Sequence, residues 1–178
     1  MSILLSIVMA LTGPSLEARA EAADSRPSGQ VRLAIFNVWE LSGQKLAQVN
    51  AAGGGTHPQL CKAAEIVQRM RPDVLLLNEI DFDPKERRNA TLFLERYLKV
   101  PQADQPPIDY PYLFFESVNT GVPTGLDLDN DGKTDGPADA YGYGRYEGQY
   151  GLALYSRFPI DREQVRTFQN FKWKDMPG

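Results

Sequence analysis

The chain has 178 residues, of which 42% are hydrophobic and 24% charged, a balance that fits an ordinary globular domain with a sizeable core. A net charge of -4 and a pI near 5.1 exclude a non-specific grip on nucleic acid through a basic surface. Cys61 is the only cysteine and His57 the only histidine, so an internal disulfide and a His-rich zinc site are both excluded.

Residues 3–11 form an apolar run too short to span a bilayer. Small residues follow, with Ala18-Arg19-Ala20 and Ala20-Glu21-Ala22 as candidate cleavage points. Residues 1–22 therefore read as a signal peptide, although no Lys or Arg precedes the run, and a secreted or periplasmic location is expected. Residues 23–30 make a polar leader, and residues 31–178 the folded region.

Residues 31–38 read as the first strand, with Asn37 near its end. A loop over 41–56 contains Gly53-Gly54-Gly55. Residues 58–71 read as a helix, because Leu60, Ala64, Val67 and Met70 recur at helical spacing. Pro72 stops it, since the residue before a proline is pushed out of the α region. Val74-Leu75-Leu76-Leu77 is then a short apolar run between breakers, expected to be a strand buried on both faces, with Glu79 on its lip. Asp83, Pro84 and Glu86 carry the cap, first-turn and third-position signals of a second helix, continuing through Leu98 until Pro101. Asn89-Ala90-Thr91 is a glycosylation sequon that reads as chance on that helix. A third strand is expected over 112–115, a fourth over 151–156, and a further short one near 164–168. Strand, helix, strand, helix and then several strands imply an α/β layered protein with a mixed sheet.

Between the third and fourth strands, residues 120–149 form a Gly/Asp-rich excursion, and so long an irregular stretch tends to be functional. Asp127, Asp129, Asp131 and Gly132 match the opening of a Ca²⁺ loop, and Asp135 falls at its ninth position. The Glu expected at the twelfth position is missing, and Gly125 and Gly136-Pro137 forbid flanking helices. The loop is thus an isolated candidate Ca²⁺ site or an Asp-rich solvated turn. Tyr141-Gly142-Tyr143-Gly144-Arg145-Tyr146 interleaves aromatics with one cation suited to a ring or a phosphate; its bland alternative is a glycine loop pinned by tyrosines. Arg145, with Asn119 just past the third strand, is a candidate substrate contact. Asn37 and Glu79 end two successive strands, so neighbouring strands would aim both at one site. Mg²⁺ or Mn²⁺ takes such oxygen donors together with substrate phosphate; the bland alternative is a turn Asn and a surface Glu.

Three blocks carry a resemblance: Phe36-Asn37 ending the first strand, Arg71 through Glu79, and Tyr150-Gly151-Leu152-Ala153-Leu154-Tyr155-Ser156-Arg157-Phe158-Pro159-Ile160. In this order they resemble the endonuclease/exonuclease/phosphatase superfamily, with its DNase I-like fold, and Asn78 stands where that family usually has Gln. The resemblance implies a divalent-metal-dependent phosphoesterase acting on nucleic acid, a small phosphorylated molecule or a lipid headgroup. Glu79 would be the metal ligand and Asn37 its helper at metal or phosphate. The family's catalytic His, Asp-x-Asn and Asp-His motifs follow the third block. The chain therefore reads as the N-terminal half of such an enzyme, expected to be inactive alone and to leave one apolar sheet face uncovered. The competing expectation is a non-enzymatic, Ca²⁺-ordered extracellular binding module.

Overall fold

The structure, a computed structural model, describes residues 29–177, so the expected signal peptide and most of the leader lie outside the described residues. Its elements are β1 (Leu33–Leu41), α1 (Gly43–Leu46), α2 (Pro58–Met70), β2 (Val74–Ile80), α3 (Asn89–Phe93), β3 (Tyr112–Phe115) and β4 (Gly151–Ser156). The sheet runs in the order β1-β2-β4-β3; β1 and β2 are parallel, and β4 is antiparallel to both its neighbours.

α2 begins at Pro58, where a missing N–H costs nothing, and ends where Arg71 turns left-handed at φ 45. Leu60, Ala63, Ala64 and Val67 are buried against the sheet, while Met70, expected on that face, is 54% exposed at the frayed last turn. Buried Gln68 ties α2 to the chain after α3: its Nε2 donates to Leu98 O (2.9 Å) and Val100 O (2.8 Å), and its Oε1 accepts from Gln102 N (3.1 Å). Leu75 and Leu77 of β2, Ala153 and Tyr155 of β4, and Phe93 and Tyr97 complete the core.

α2 and α3 pack on one side of the sheet, where Tyr155 of β4 donates its hydroxyl to Ala90 O (2.9 Å). Residues 74–77 are therefore not buried on both faces, as the apolar run suggested: Leu75 and Leu77 are buried, whereas Val74 and Leu76 are half-buried. On the open face Leu33 and Ile35 are 71% and 74% exposed, and a groove of about 660 Å³ runs along Leu76, Phe114, Leu154, Val165 and Phe168.

Two further expectations are corrected. The helix does not start at Asp83. One turn closes there, with Arg87 N on Asp83 O (2.8 Å), but Arg87 is left-handed at φ 51 and cannot propagate it. The helix starts instead at Asn89, whose buried side chain donates to Asp81 O (2.7 Å), and it widens into a π-helical turn over Leu94–Leu98. That burial also closes Asn89 to a glycan. The short strand near 164–168 is absent; Asp161 caps a 3₁₀ turn, Arg162–Gln164, in its place.

Candidate active site

β1 and β2 place Asn37 directly beside Asn78, and both strands then lose register, β1 between Asn37 and Leu41 and β2 between Asn78 and Ile80. Trp39 (φ 48), Glu40 (φ 56) and Glu79 (φ 63) sit in the left-handed region, each at a cost of about 1–2 kcal/mol for a residue with a Cβ. The bulges transpose side chains. Asn37 shares the open face with Leu33 and Ile35, and in a regular strand Glu79 would point to the opposite face. Turned left-handed, Glu79 reaches Asn37 instead: Asn37 Nδ2 donates to Glu79 Oε1 (2.7 Å), and Glu40 N donates to Oε2 (3.2 Å).

The bulge is pinned from below. Gln59 Nε2 of α2 donates to the carbonyls of Val38 (2.6 Å) and Trp39 (2.7 Å), and Lys45 Nζ of α1 donates to Trp39 O (3.1 Å). Asn37 Oδ1 accepts from Trp39 N (2.9 Å). Asn37 therefore presents its amide N–H₂ to Glu79 and holds that carboxylate, and its own oxygen is already engaged. Glu79 carries the one carboxylate of this pair, with each oxygen held by a single donor and lone pairs to spare. That set suits a hard cation that keeps several waters and takes further oxygens from substrate phosphate.

The 120–149 excursion folds back onto this edge. Phe82 N donates to Gly148 O (2.8 Å) and Gly148 N to Thr120 O (3.0 Å). Gly148 is required here: its φ is +85, and a Cβ would stand 2.0 Å from Phe82 O. Tyr146 donates its hydroxyl to Asp81 Oδ2 (2.6 Å), Tyr150 N donates to Asp81 Oδ1 (3.4 Å), and the Tyr150 hydroxyl donates to Glu40 Oε1 (2.9 Å). Burial raises the Asp81 pKa against the lowering effect of these two donors. Burial and the bond to Asp81 push the Tyr146 hydroxyl far up. Between β1 and the excursion lies a cleft of about 490 Å³, lined by Glu40, Ser42, Gln44, Asp81, Arg145 and Tyr146.

Of the residues singled out from sequence, the structure brings Asn37 and Glu79 into contact and sets Arg145 in the adjoining cleft. Asn119 lies elsewhere: it lines the open-face groove, and its amide donates to Gln169 O (2.8 Å). Glu40 escaped the sequence reading, which also assigned Asp81 no role and took Tyr150 only as part of the third block; their contacts depend on left-handed bulges that apolar patterning does not encode.

In the Asp-rich loop, Asp127, Asp129 and buried Asp139 each bring a carboxylate oxygen within 4.8 Å of the others. Asp131 and Asp135, candidate ligands by spacing, fall outside that group, and the Asp131 carboxylate caps Lys133 N (2.8 Å). Asp139 was passed over because it lies beyond the loop's regular spacing.

Residues 34–178 match the family model described as Endonuclease/Exonuclease/phosphatase family. Curated proteins and solved structures give no match to the chain. No described helix is long and apolar enough to cross a membrane.

Proposed function

The chain belongs to the endonuclease/exonuclease/phosphatase family, its mixed α/β sheet being consistent with part of a DNase I-like fold, and from that premise we propose a divalent-metal-dependent phosphoester hydrolase centred on Glu79. One observation carries the reading. At the joined ends of two parallel strands, a non-glycine residue is held left-handed so that its carboxylate meets Asn37. Strain of this kind persists where the surrounding structure over-determines it, typically at functional sites.

Glu79 would hold Mg²⁺ or Mn²⁺, which when bound supplies charge neutralisation at the phosphate. Asn37 fixes the orientation of the Glu79 carboxylate, and Glu40 N holds its other oxygen. Glu40 and Asp81 each accept a hydrogen bond from a tyrosine hydroxyl. The 178-residue polypeptide is proposed to hold metal and phosphate and to turn over little by itself. Its substrate is a phosphoester in a small molecule, a lipid headgroup or a nucleic acid. Export is proposed on the apolar run at 3–11.

The alternative, a Ca²⁺-ordered binding module, is favoured by the grouping of Asp127, Asp129 and Asp139. We place Ca²⁺ there in a structural capacity, ordering the excursion whose tyrosines hold Glu40 and Asp81.

The test pairs Mn²⁺ titration by electron paramagnetic resonance with hydrolysis of bis(p-nitrophenyl) phosphate, for the wild type and Glu79→Ala. Mn²⁺ binding that Glu79→Ala removes supports the site. Turnover that the same substitution abolishes supports the activity and overturns the expected inactivity. A wild type that neither binds Mn²⁺ nor hydrolyses the diester overturns the function.

A further inference from the structure

Resting on the reading of Glu79 as the metal ligand, we propose that Tyr150 is a positioning residue for the cation. It straps the end of β2 and, through Glu40, sets the pose of the Glu79 carboxylate.

The strap follows from the strand order. Glu79 is the extra residue of the β2 bulge, since Asn78 pairs with Leu152 and Ile80 with the adjacent Gly151. Tyr150 immediately precedes Gly151, so it stands on the β4 side of that bulge. Its hydroxyl nevertheless donates to Glu40 Oε1 (2.9 Å), on β1. β2 lies between β1 and β4, so the side chain crosses the end of β2 where Glu79 turns left-handed.

From Glu40 the link runs on through the backbone, whose N–H donates to Glu79 Oε2 (3.2 Å). Glu40 makes this bond at φ 56, a conformation that a residue with a Cβ leaves unless it is held. Gln59 and Lys45 hold the carbonyls of Val38 and Trp39, just before it. Among the described residues, the Tyr150 hydroxyl makes the one hydrogen bond to the Glu40 side chain. The strap is also fixed at its root. Tyr150 N donates to Asp81 Oδ1 (3.4 Å), and Gly148, two residues earlier, accepts from Phe82 N (2.8 Å). With Asn37 on its other oxygen, the Glu79 carboxylate is gripped from both sides. A carboxylate already held in one pose loses less freedom when a cation binds, and the groups that orient a ligand tune metal affinity.

The experiment is Mn²⁺ titration of the full chain by electron paramagnetic resonance, with near-ultraviolet circular dichroism confirming the fold of each variant. Tyr150→Phe keeps the ring and loses only the strap, and should weaken Mn²⁺ binding about tenfold. Glu40→Gln and Glu40→Ala approach the strap from its other end at matched charge. Glutamine keeps an oxygen for the hydroxyl and alanine does not, so Glu40→Ala should bind more weakly than Glu40→Gln. Adding Tyr150→Phe to Glu40→Ala should change nothing further, because the link is already broken. A purely structural tyrosine would lower the Tm and leave the Mn²⁺ affinity alone. Unchanged or tighter Mn²⁺ binding in Tyr150→Phe overturns the positioning role, as does a tenfold loss that persists in the Glu40→Ala background. A wild type that binds no Mn²⁺ overturns the metal site itself, and the strap with it.

Discussion

Replacing Glu79 by Ala and by Gly separates what its side chain does from what its backbone costs. Both changes remove the hydrogen bonds from Asn37 Nδ2 and Glu40 N. At a half-buried position these contribute about 0.5–1 kcal/mol each, so Glu79→Ala should lose about 1–2 kcal/mol. Alanine keeps a Cβ and so keeps the penalty of φ 63. Glycine removes that penalty, about 1–2 kcal/mol, and gives back about 0.5–1 kcal/mol through a looser unfolded chain. Glu79→Gly should therefore be more stable than Glu79→Ala by about 0.5–1 kcal/mol, a separation of roughly 1–4 °C in Tm. Thermal melts in EDTA measure this difference without metal. Adding Mn²⁺ should raise the wild-type Tm and leave both variants unmoved. Equal stability of the two variants would refute the strain argument. A Mn²⁺ shift that persists in either would refute Glu79 as the ligand.

Three further outcomes are expected. Burial, assisted by the charge of Lys45, lowers the His57 pKa, and its Nδ1 is buried without a partner among the described residues. A depressed folded-state pKa means that the unfolded chain takes the proton more readily. This contribution to stability is complete above about pH 6.5 and is lost as pH falls through the folded value, so His57→Asn should flatten that part of the Tm profile. Gly148→Ala combines a φ of +85 with a Cβ 2.0 Å from Phe82 O and should cost more than about 2 kcal/mol in a urea melt; a loss below about 0.5 kcal/mol would contradict the packing described. Ca²⁺ at about 100 times its Kd should stabilise the chain by about 2.7 kcal/mol, an effect absent in Asp129→Asn, and identical melts with and without Ca²⁺ would remove the ion from the loop.

The sequence made the strands and the α2 helix legible, because their signals are local. Pro72 separates the helix from the apolar run of β2, β4 ends at Ser156, and Leu60, Ala64 and Val67 repeat at helical spacing. It also brought Asn37 and Glu79 forward as a pair, through strand order. What it lost was conformation against propensity. Trp39, Glu40, Glu79, Arg87 and Tyr150 all take positive φ, and none of these residue types announces it. The false helix start at Asp83 and the overlooked Glu40 share this cause. The open sheet face misled in a different way, since an unbroken Val-Leu-Leu-Leu run is the same whether one face is covered or both. Asp139 shows a third limit: a residue four places beyond a regular motif joins it only once the chain has turned through Gly136 and Pro137.

The open face has a thermodynamic consequence for the site. Asn37 stands in the same row as Leu33 and Ile35, so the edge that presents Glu79 is also the rim of that apolar surface. Any layer laid over the sheet would stiffen β1 up to its bulge and restrict the pose of the Glu79 carboxylate. By reciprocity, a ligand clamped at Glu79 would favour that layer by the same factor by which the layer favours the ligand. Cover and ligand are then two handles on one equilibrium, and a change at either registers at the other without any contact between them.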